Sequence, residues 1–420
     1  MKHVKQHTVT ALRWSEQYTK IDMVYFAGNG FWLLLAQGVA MVSAFFVIVI
    51  LTRVLSPEVF GQYRFVLSIV AILTIFTLPG TGVSLTRAVA RGAQVNLSNI
   101  AKAKVYWGCG GAIAALLIAL YYYMHGNIVL ACAFCVAALF IPLYEAYFVY
   151  SFYYRGKQDF KTPALYEALS TIGAALVSII TVLYTDNLYA VIAAFFFGKL
   201  ATRYFYYRKT LRKQTLTIKK TTTDDTIEYG KKLSAIGIVG VMAENLDKIM
   251  VWHFLGAEAL ALYITALAIP LSVAQVFEFV PQLFLPKFSK KEVSLLPKKT
   301  IGMYGISLII IAGLYAFFIP MVYVKIFPAF GVGQHALLFS GLIIIALPIR
   351  AIIGQMYTAT KKYKYVLWFA VSKLLSQCVW FFVCTALIND IIAAATAAFA
   401  LQHITTVCVQ LLFSGPLLRS

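Results

Sequence analysis

Between residues 30 and 414 the chain is a succession of unbroken apolar runs, each about twenty residues long, separated by short polar turns. Runs of that length and continuity constrain the fold more than any other feature. Strands of a membrane barrel alternate apolar and polar residues over about ten positions, and these runs do not alternate. In lipid every backbone N–H and C=O must be satisfied within the protein, which a helix does by itself. Composition is needed only to name the solvent. Charged residues are 12% of the 420, where an ordinary soluble domain carries about 25%. The mean hydropathy is +0.80. The expected class is therefore an all-α integral membrane protein.

Twelve spans follow from the runs: Gly30–Leu51, Tyr63–Leu85, Val105–Met124, Ile128–Tyr154, Pro163–Tyr184, Leu188–Tyr207, Leu233–Phe254, Ala261–Leu285, Thr300–Val322, His335–Thr358, Tyr365–Leu387 and Ile391–Ser414. Residues 1–27 precede them. This segment has no apolar core ahead of a small-residue cleavage site, so it does not read as a signal peptide. Leu12, Trp14, Tyr18, Ile21 and Tyr25, with Arg13 and Lys20 between, form an interfacial helix or a basic tail.

Charge fixes the orientation. With the N-terminus inside, alternate connections hold 29 of the 36 Lys and Arg residues, and the opposite turns have almost none. The positive-inside rule then places both termini in the cytoplasm. It also accounts for the net charge of +20 without nucleic acid, because a basic face lies beside anionic lipid.

The chain repeats itself at an offset of 200. LTRVLSPEVFGQYRFVLSIV, from Leu51, returns as VWHFLGAEALALYITALAIP, from Val251. Leu55/Leu255, Glu58/Glu258, Tyr63/Tyr263, Leu67/Leu267 and Ile69/Ile269 are identical. Both copies are elbows between the first and second spans of a half. The polar stretch 208–232 is the expected linker between residues 28–207 and 233–420, six spans each. An even number of spans per half makes the repeat parallel, about an axis along the membrane normal. Pro142 and Pro348 echo one another in the fourth and tenth spans. Pro79, Pro270 and Pro281 are further expected bends.

A charge within a span is costly and marks function by default. The candidates are Glu145, Glu244, Asp247, Lys248, Glu278, Arg350 and Lys373. Glu244 and Asp247 share a helix face, whereas Asp247 and Lys248 point about 100° apart. The two acids form either a proton or cation coupling site or a lock with Arg53 or Lys248. The six cysteines lie in apolar spans, and Cys132 and Cys135 lack His or acid partners nearby, so they read as core filler and no metal or cofactor is expected. No G-x-x-x-x-G-K-[ST] loop is present.

The elbow at Leu51, followed by Gly80-Thr81-Gly82 and Thr86-Arg87-Ala88-Val89-Ala90, resembles the oligosaccharide flippase family, Wzx-like and described as polysaccharide biosynthesis proteins. Asn245-Leu246-Asp247-Lys248, then Leu255-Gly256 and Leu262-Tyr263, resemble it too. That family sits in the multidrug/oligosaccharidyl-lipid/polysaccharide exporter superfamily. The resemblance runs from about Gly28 to the end. It implies a V-shaped pair of six-helix lobes in a bacterial inner membrane. It implies transport of a polyprenyl-diphosphate-linked oligosaccharide from the cytoplasmic to the periplasmic leaflet by alternating access, with no catalysis, and with polysaccharide polymerases as possible partners.

A diphosphate crossing lipid needs charge-assisted partners. By the proline register Arg350 aligns with Tyr144, beside Glu145. Arg350 is expected to contact the phosphate or an acidic sugar, with Glu145 as its resting partner. Lys248 and Lys373 line the same cavity, or Lys373 snorkels, as Lys199 and Arg203 do. Arg87 receives the headgroup at the cytoplasmic gate or anchors the interface. Tyr144 and Tyr147 stack on sugar rings or pack. Glu244, Asp247, Glu278 and Arg53 are the coupling or gating set. The rivals are an ion-coupled multidrug antiporter of the same superfamily and a membrane polymerase or ligase. The antiporter branch resembles a pattern with an acid in the first span, and Gly30–Leu51 has none.

Overall fold

The computed structural model describes residues 23–214, 220–278, 298–359 and 363–418. Among them there is no strand. The helices are α1 Met23–Val54, α2 Pro57–Leu73, α3 Gly80–Ala90, α4 Leu97–Met124, α5 Ile128–Tyr144, α6 Val149–Gly156, α7 Lys161–Tyr184, α8 Leu188–Lys213, α9 Lys220–Glu278, α10 Lys298–Ile326, α11 Gln334–Gly341, α12 Ile343–Ala359, α13 Tyr363–Leu387 and α14 Ile391–Leu418. The expected interfacial helix before residue 23 and the bend at Pro281 lie outside the described residues.

The polar turns between runs become caps. Asn96, Asn127 and Asn187 each accept backbone N–H groups at the start of α4, α5 and α8. Asp390 does the same for α14 through Ile392 and Ala393. A side chain that satisfies an orphan N–H there stabilises its helix by about 1 kcal/mol. Eleven stretches of the described residues are long and apolar enough to cross a membrane. Their outward faces are apolar, as at Leu117 of α4, Phe317 of α10 and Val379 of α13. Cys132 and Cys135 are also exposed on α5, so they are not core filler as expected.

The longest stretch, Gly237–Phe277, has 41 residues, about twice what a bilayer needs. It is broken at Gly256, where φ is 90° and ψ is −176°, a conformation open almost only to glycine. The Tyr263 hydroxyl donates to Asp247 Oδ2 at 2.9 Å. Sixteen residues of straight helix would hold those groups about 24 Å apart, so the chain doubles back. The other copy of the repeat breaks at the equivalent place. Ser56 caps α2 by accepting from Val59 N, and Pro57 occupies the first helical turn. The two elbows also meet. A Cβ on Gly61 would lie 1.9 Å from the Ala257 carbonyl oxygen, so only glycine fits. Phe60 meets Phe330 edge to face at 5.9 Å beside this contact.

Two expected spans are interrupted. The second passes from α2 through a 3-10 turn, Thr74–Thr77, to Leu78 at φ 54°, Pro79 and α3. The fourth passes from α5 through a 3-10 turn, Ala146–Phe148, to α6. Pro270 and Pro348 lie instead within helices that continue.

α1 and α4 to α8 pack chiefly on one another, α2 and α3 pack most heavily on α9, α11 to α14 pack on α9 and one another, and α10 packs on α11 and α12. Residues 220–232, expected as part of a soluble linker, begin α9 and dock on α3. Gly80 N donates to Ser234 Oγ at 2.9 Å, Ser84 Oγ donates to the Thr226 carbonyl, and Asn96 N donates to Thr223 Oγ1 at 3.2 Å. Small residues make the approach possible: an added Cβ at Gly230 would lie 2.6 Å from Thr81 Cγ2.

Candidate functional site: buried charges inside the helical bundle

Arg203 sits at the centre of the first cluster. It projects from α8 with 5% of its side chain exposed and meets Glu145 Oε1 at 2.9 Å and Glu167 Oε1 at 3.6 Å. It also donates to the Tyr144 carbonyl at 2.9 Å, and Tyr144 and Phe148 present their ring faces at 4.6 and 4.4 Å. The Tyr144 carbonyl would bond Phe148 N in a continuous helix, but that N–H bonds Glu145 O instead. Arg203 thus takes the acceptor released by the break. Lys104, 1% exposed, reaches the other break, donating from Nζ at 3.4 Å to the Leu78 carbonyl, which also accepts from Thr81 N and Oγ1. Both residues were counted among the cytoplasmic loop charges by sequence, with Arg203 expected to snorkel. Both are buried structural cations.

The pairing expected between Glu145 and Arg350 is not the one formed. Glu145 is held by Arg203 of its own half, while Arg350 Nη1 lies 3.4 Å from His403 Nδ1. A matched register sets depth, but Arg203 arrives from the adjacent helix and closes the carboxylate. Tyr144 meets Phe196 edge-on at 5.5 Å, and Tyr147 packs on Tyr204 and Tyr207 at 5.0 and 5.1 Å. Tyr144 and Glu145 also line a cavity of about 240 Å³ with Leu67, Thr74 and Phe195.

A cavity of about 350 Å³ opens beside this cluster, lined by α1, α2, α7 and α8. Its walls are apolar at Val47, Ile48, Leu51 and Phe195 and polar at Arg64, Glu167 and Lys199. Neither the Arg64 guanidinium nor the Lys199 ammonium has a hydrogen-bond or ion-pair partner among the described residues. Both cations are half-buried, and with two of them against one carboxylate, Glu167, the lining is poised for an anion. Sequence reasoning passed over Arg64 because it stands one residue inside the boundary of its run, where a charge reads as an anchor. Glu167 lies inside the expected span Pro163–Tyr184 and was not singled out.

Across the bundle, Asp247 accepts from Tyr263 and lies 3.3 Å from Lys248 Nζ, which also donates to the Glu244 carbonyl at 2.8 Å. Lys248 reaches its neighbour because its long chain folds back, so the 100° between adjacent positions does not keep them apart. Arg53 is elsewhere, donating to the Lys325 carbonyl at 3.2 Å. Lys373 is buried and lies in the electrostatic field of Arg350, Glu244, Asp247 and Lys248. Arg64 lies in the field of Asp247, so the charged groups of the two sets of helices face one another. Around Lys373, both amide atoms of Gln377 and Gln402, Oε1 of Gln410 and Nε2 of His403 are buried without partners. Each such group costs about 1–3 kcal/mol if it stays unbonded. The Glu278 side chain lies outside the described residues.

Arg87 belongs to a different place. Its Nη1 lies 2.5 Å from the Tyr229 hydroxyl, in a cavity of about 500 Å³ with Arg91, Asp225 and Thr226 where α3 meets α9. No group of three or more His, Cys, Asp or Glu that could hold a metal occurs among the described residues.

The fold is shared with solved transporters. A lipid II flippase MurJ in an inward closed conformation superposes with a TM-score of 0.68 at 16% identity, over 90% of this chain and 86% of that one. An inward-facing multidrug resistance MATE transporter of the MOP superfamily gives 0.61 at 11% identity, over 90% and 94%. An outward-facing one gives 0.53 at 12% identity, over 94% and 95%. No curated protein matches in sequence. Residues 26–291, which carry both elbows, both helix breaks and the cavity beside Arg64, match the family described as polysaccharide biosynthesis protein, and to that family the chain belongs.

Proposed function

We propose that the protein is a flippase that moves a polyprenyl-diphosphate-linked oligosaccharide from the cytoplasmic to the periplasmic leaflet of a bacterial inner membrane. The observation that carries this is the largely apolar cavity lined by Arg64 and Lys199, neither of which has a side-chain partner among the described residues. Such a ligand is an amphiphile: its tail stays in hydrocarbon, and its diphosphate needs desolvated cations with N–H donors. Arg64 presents a planar fork of donors and Lys199 a point charge. Glu167 opposes them while the site is empty, and its own attachment to Arg203 keeps it from cancelling both.

In this reading the chain crosses the membrane twelve times, six times in residues 28–207 and six in 233–420, joined through 208–232, with both termini cytoplasmic. The doubling at Gly256, the meeting of the two elbows and the basic connections support it. The protein performs no bond chemistry. Lipid surrounds it, and a polymerase consumes its product. The multidrug antiporter reading has the similarity to MATE structures in its favour. Against it stands the charge of the cavity: Glu145 is closed by Arg203, and Glu167, which meets Arg203 at 3.6 Å and keeps Oε2 without a hydrogen-bond partner, is outnumbered there by Arg64 and Lys199.

Complementation of a flippase-deleted bacterium tests the assignment. The intact gene is expected to restore surface polysaccharide, and Arg64→Ala with Lys199→Ala to abolish that restoration at equal membrane abundance. Protection from cationic dyes without restored polysaccharide would transfer the protein to the antiporter reading.

A further inference from the structure

The transport reading draws on the cavity beside Arg64 and gives no role to the interior between α12, α13 and α14. That interior is polar. α13 and α14 are neighbours, tied by Trp380 Nε1 donating to Thr405 Oγ1 at 2.8 Å. Lys373 and Gln377 stand one turn apart on α13, and His403, Thr406 and Gln410 recur at helical spacing on α14. All five are buried, as is Gln402. Arg350 reaches His403 from α12, and an added Cβ at Gly354, one turn beyond, would lie 4.0 Å from Gln410 Nε2.

What these groups lack defines what they would hold. The Lys373 ammonium, 9% exposed, has no hydrogen-bond or ion-pair partner among the described residues. Both amides of Gln377 and Gln402 are unbonded, as is His403 Nε2. α12, α13 and α14 carry no carboxylate, and Asp390, just before α14, caps it through Ile392 and Ala393. On α9, Asp247 is already engaged by Tyr263 and Lys248. Arg350, Lys373 and Lys248 therefore outnumber Glu244 and Asp247, and the loose polar atoms include several donors. Of those two carboxylates, the one without a partner among the described residues, Glu244, is exposed on α9, whereas an anion within α12–α14 would find buried charge and N–H groups together.

We infer that the interior of α12–α14 is a closed binding site for a small monovalent anion of the chloride class, seated between Lys373, Gln377, Gln402 and His403. The site is separate from the cavity beside Arg64, and its occupancy does not depend on the flippase assignment.

The test uses the purified full chain in detergent at constant ionic strength. Sodium chloride and choline chloride are each expected to raise the unfolding midpoint saturably over sodium gluconate, by about 3 °C at a hundredfold excess over the dissociation constant. A rise that follows sodium instead, or no chloride-dependent rise, overturns the inference. Lys373→Met and Gln402→Leu, where they elute as the native protein does, are expected to lose the chloride response, and keeping it overturns the inference as well. Crystals soaked in bromide decide the matter without variants. An anomalous peak beside Lys373 Nζ supports the site, and its absence there refutes it.

Discussion

Arg203 shows how one side chain can serve a break, a fold and a site together. It satisfies the Tyr144 carbonyl and holds two carboxylates, Glu145 and Glu167, in lipid-screened surroundings. Arg203→Met strands both acids and the carbonyl, so a loss of about 3–5 kcal/mol is expected. Glu145→Gln leaves Arg203 an acceptor and Glu167, and its loss is expected to be well under half as large. Arg203→Lys falls between, since one ammonium cannot reproduce the fork that spans a carbonyl and a carboxylate. Unfolding midpoints in detergent check the order. Equal midpoints for Arg203→Met and Glu145→Gln would show that the pair contributes nothing beyond packing. Glu145 was legible in the sequence as a costly charge within an apolar run, and its partner was not. Spacing along one helix gives depth, but the azimuth of a neighbouring helix comes only from packing, and it was α8, not α12, that turned its cation toward Glu145.

At the scale of the element, the elbows were legible and so were the places of the breaks, at Pro79 and after Pro142, but not what holds them. Ser56-Pro57 and Gly256 carry local chemistry, a cap with a fixed φ in one copy and a glycine-only conformation in the other. The cations at the breaks, Lys104 and Arg203, arrive from other helices: Arg203 takes the released Tyr144 carbonyl, and Lys104 joins Thr81 on the Leu78 carbonyl. No run of neighbouring residues announces that, and Pro142 stands three residues before the break it serves. Gly256→Ala is expected to cost about 1–3 kcal/mol, because φ 90° with extended ψ strains any side chain. Ser56→Ala removes one capping acceptor and is expected to cost about 1 kcal/mol. Thermal unfolding separates them, and a Gly256→Ala protein as stable as the parent would contradict the observed backbone. Gly61→Leu is a harsher change. It drives a side chain into the Ala257 backbone where the elbows meet, and it should part the two copies of the repeat without touching a charged residue.

For the molecule as a whole, the question is whether the joint between α3 and the start of α9 opens during a cycle. It is built like a contact made to separate. Its closest surfaces are Gly80, Thr81, Ser84, Thr226, Gly230 and Ser234, small residues joined by single hydrogen bonds, with Ile227 packed beside them on the cluster around Leu85. The cavity at Arg87 and Arg91 lies along the same seam. An alternating-access carrier must part its halves on one face to load and on the other to release, so a covalent tie across this seam should stop it. An ideal Cβ at residue 230 lies 3.1 Å from Thr81 Cβ, within a small adjustment of the roughly 3.5–4.5 Å that a disulfide spans. Thr81→Cys with Gly230→Cys, in a background with the six native cysteines replaced, is therefore expected to cross-link under mild oxidant. Surface polysaccharide in the complemented strain should fall with the cross-linked fraction and return with reductant. Full transport by the oxidised protein would mean that the seam stays closed throughout the cycle and that the halves part elsewhere.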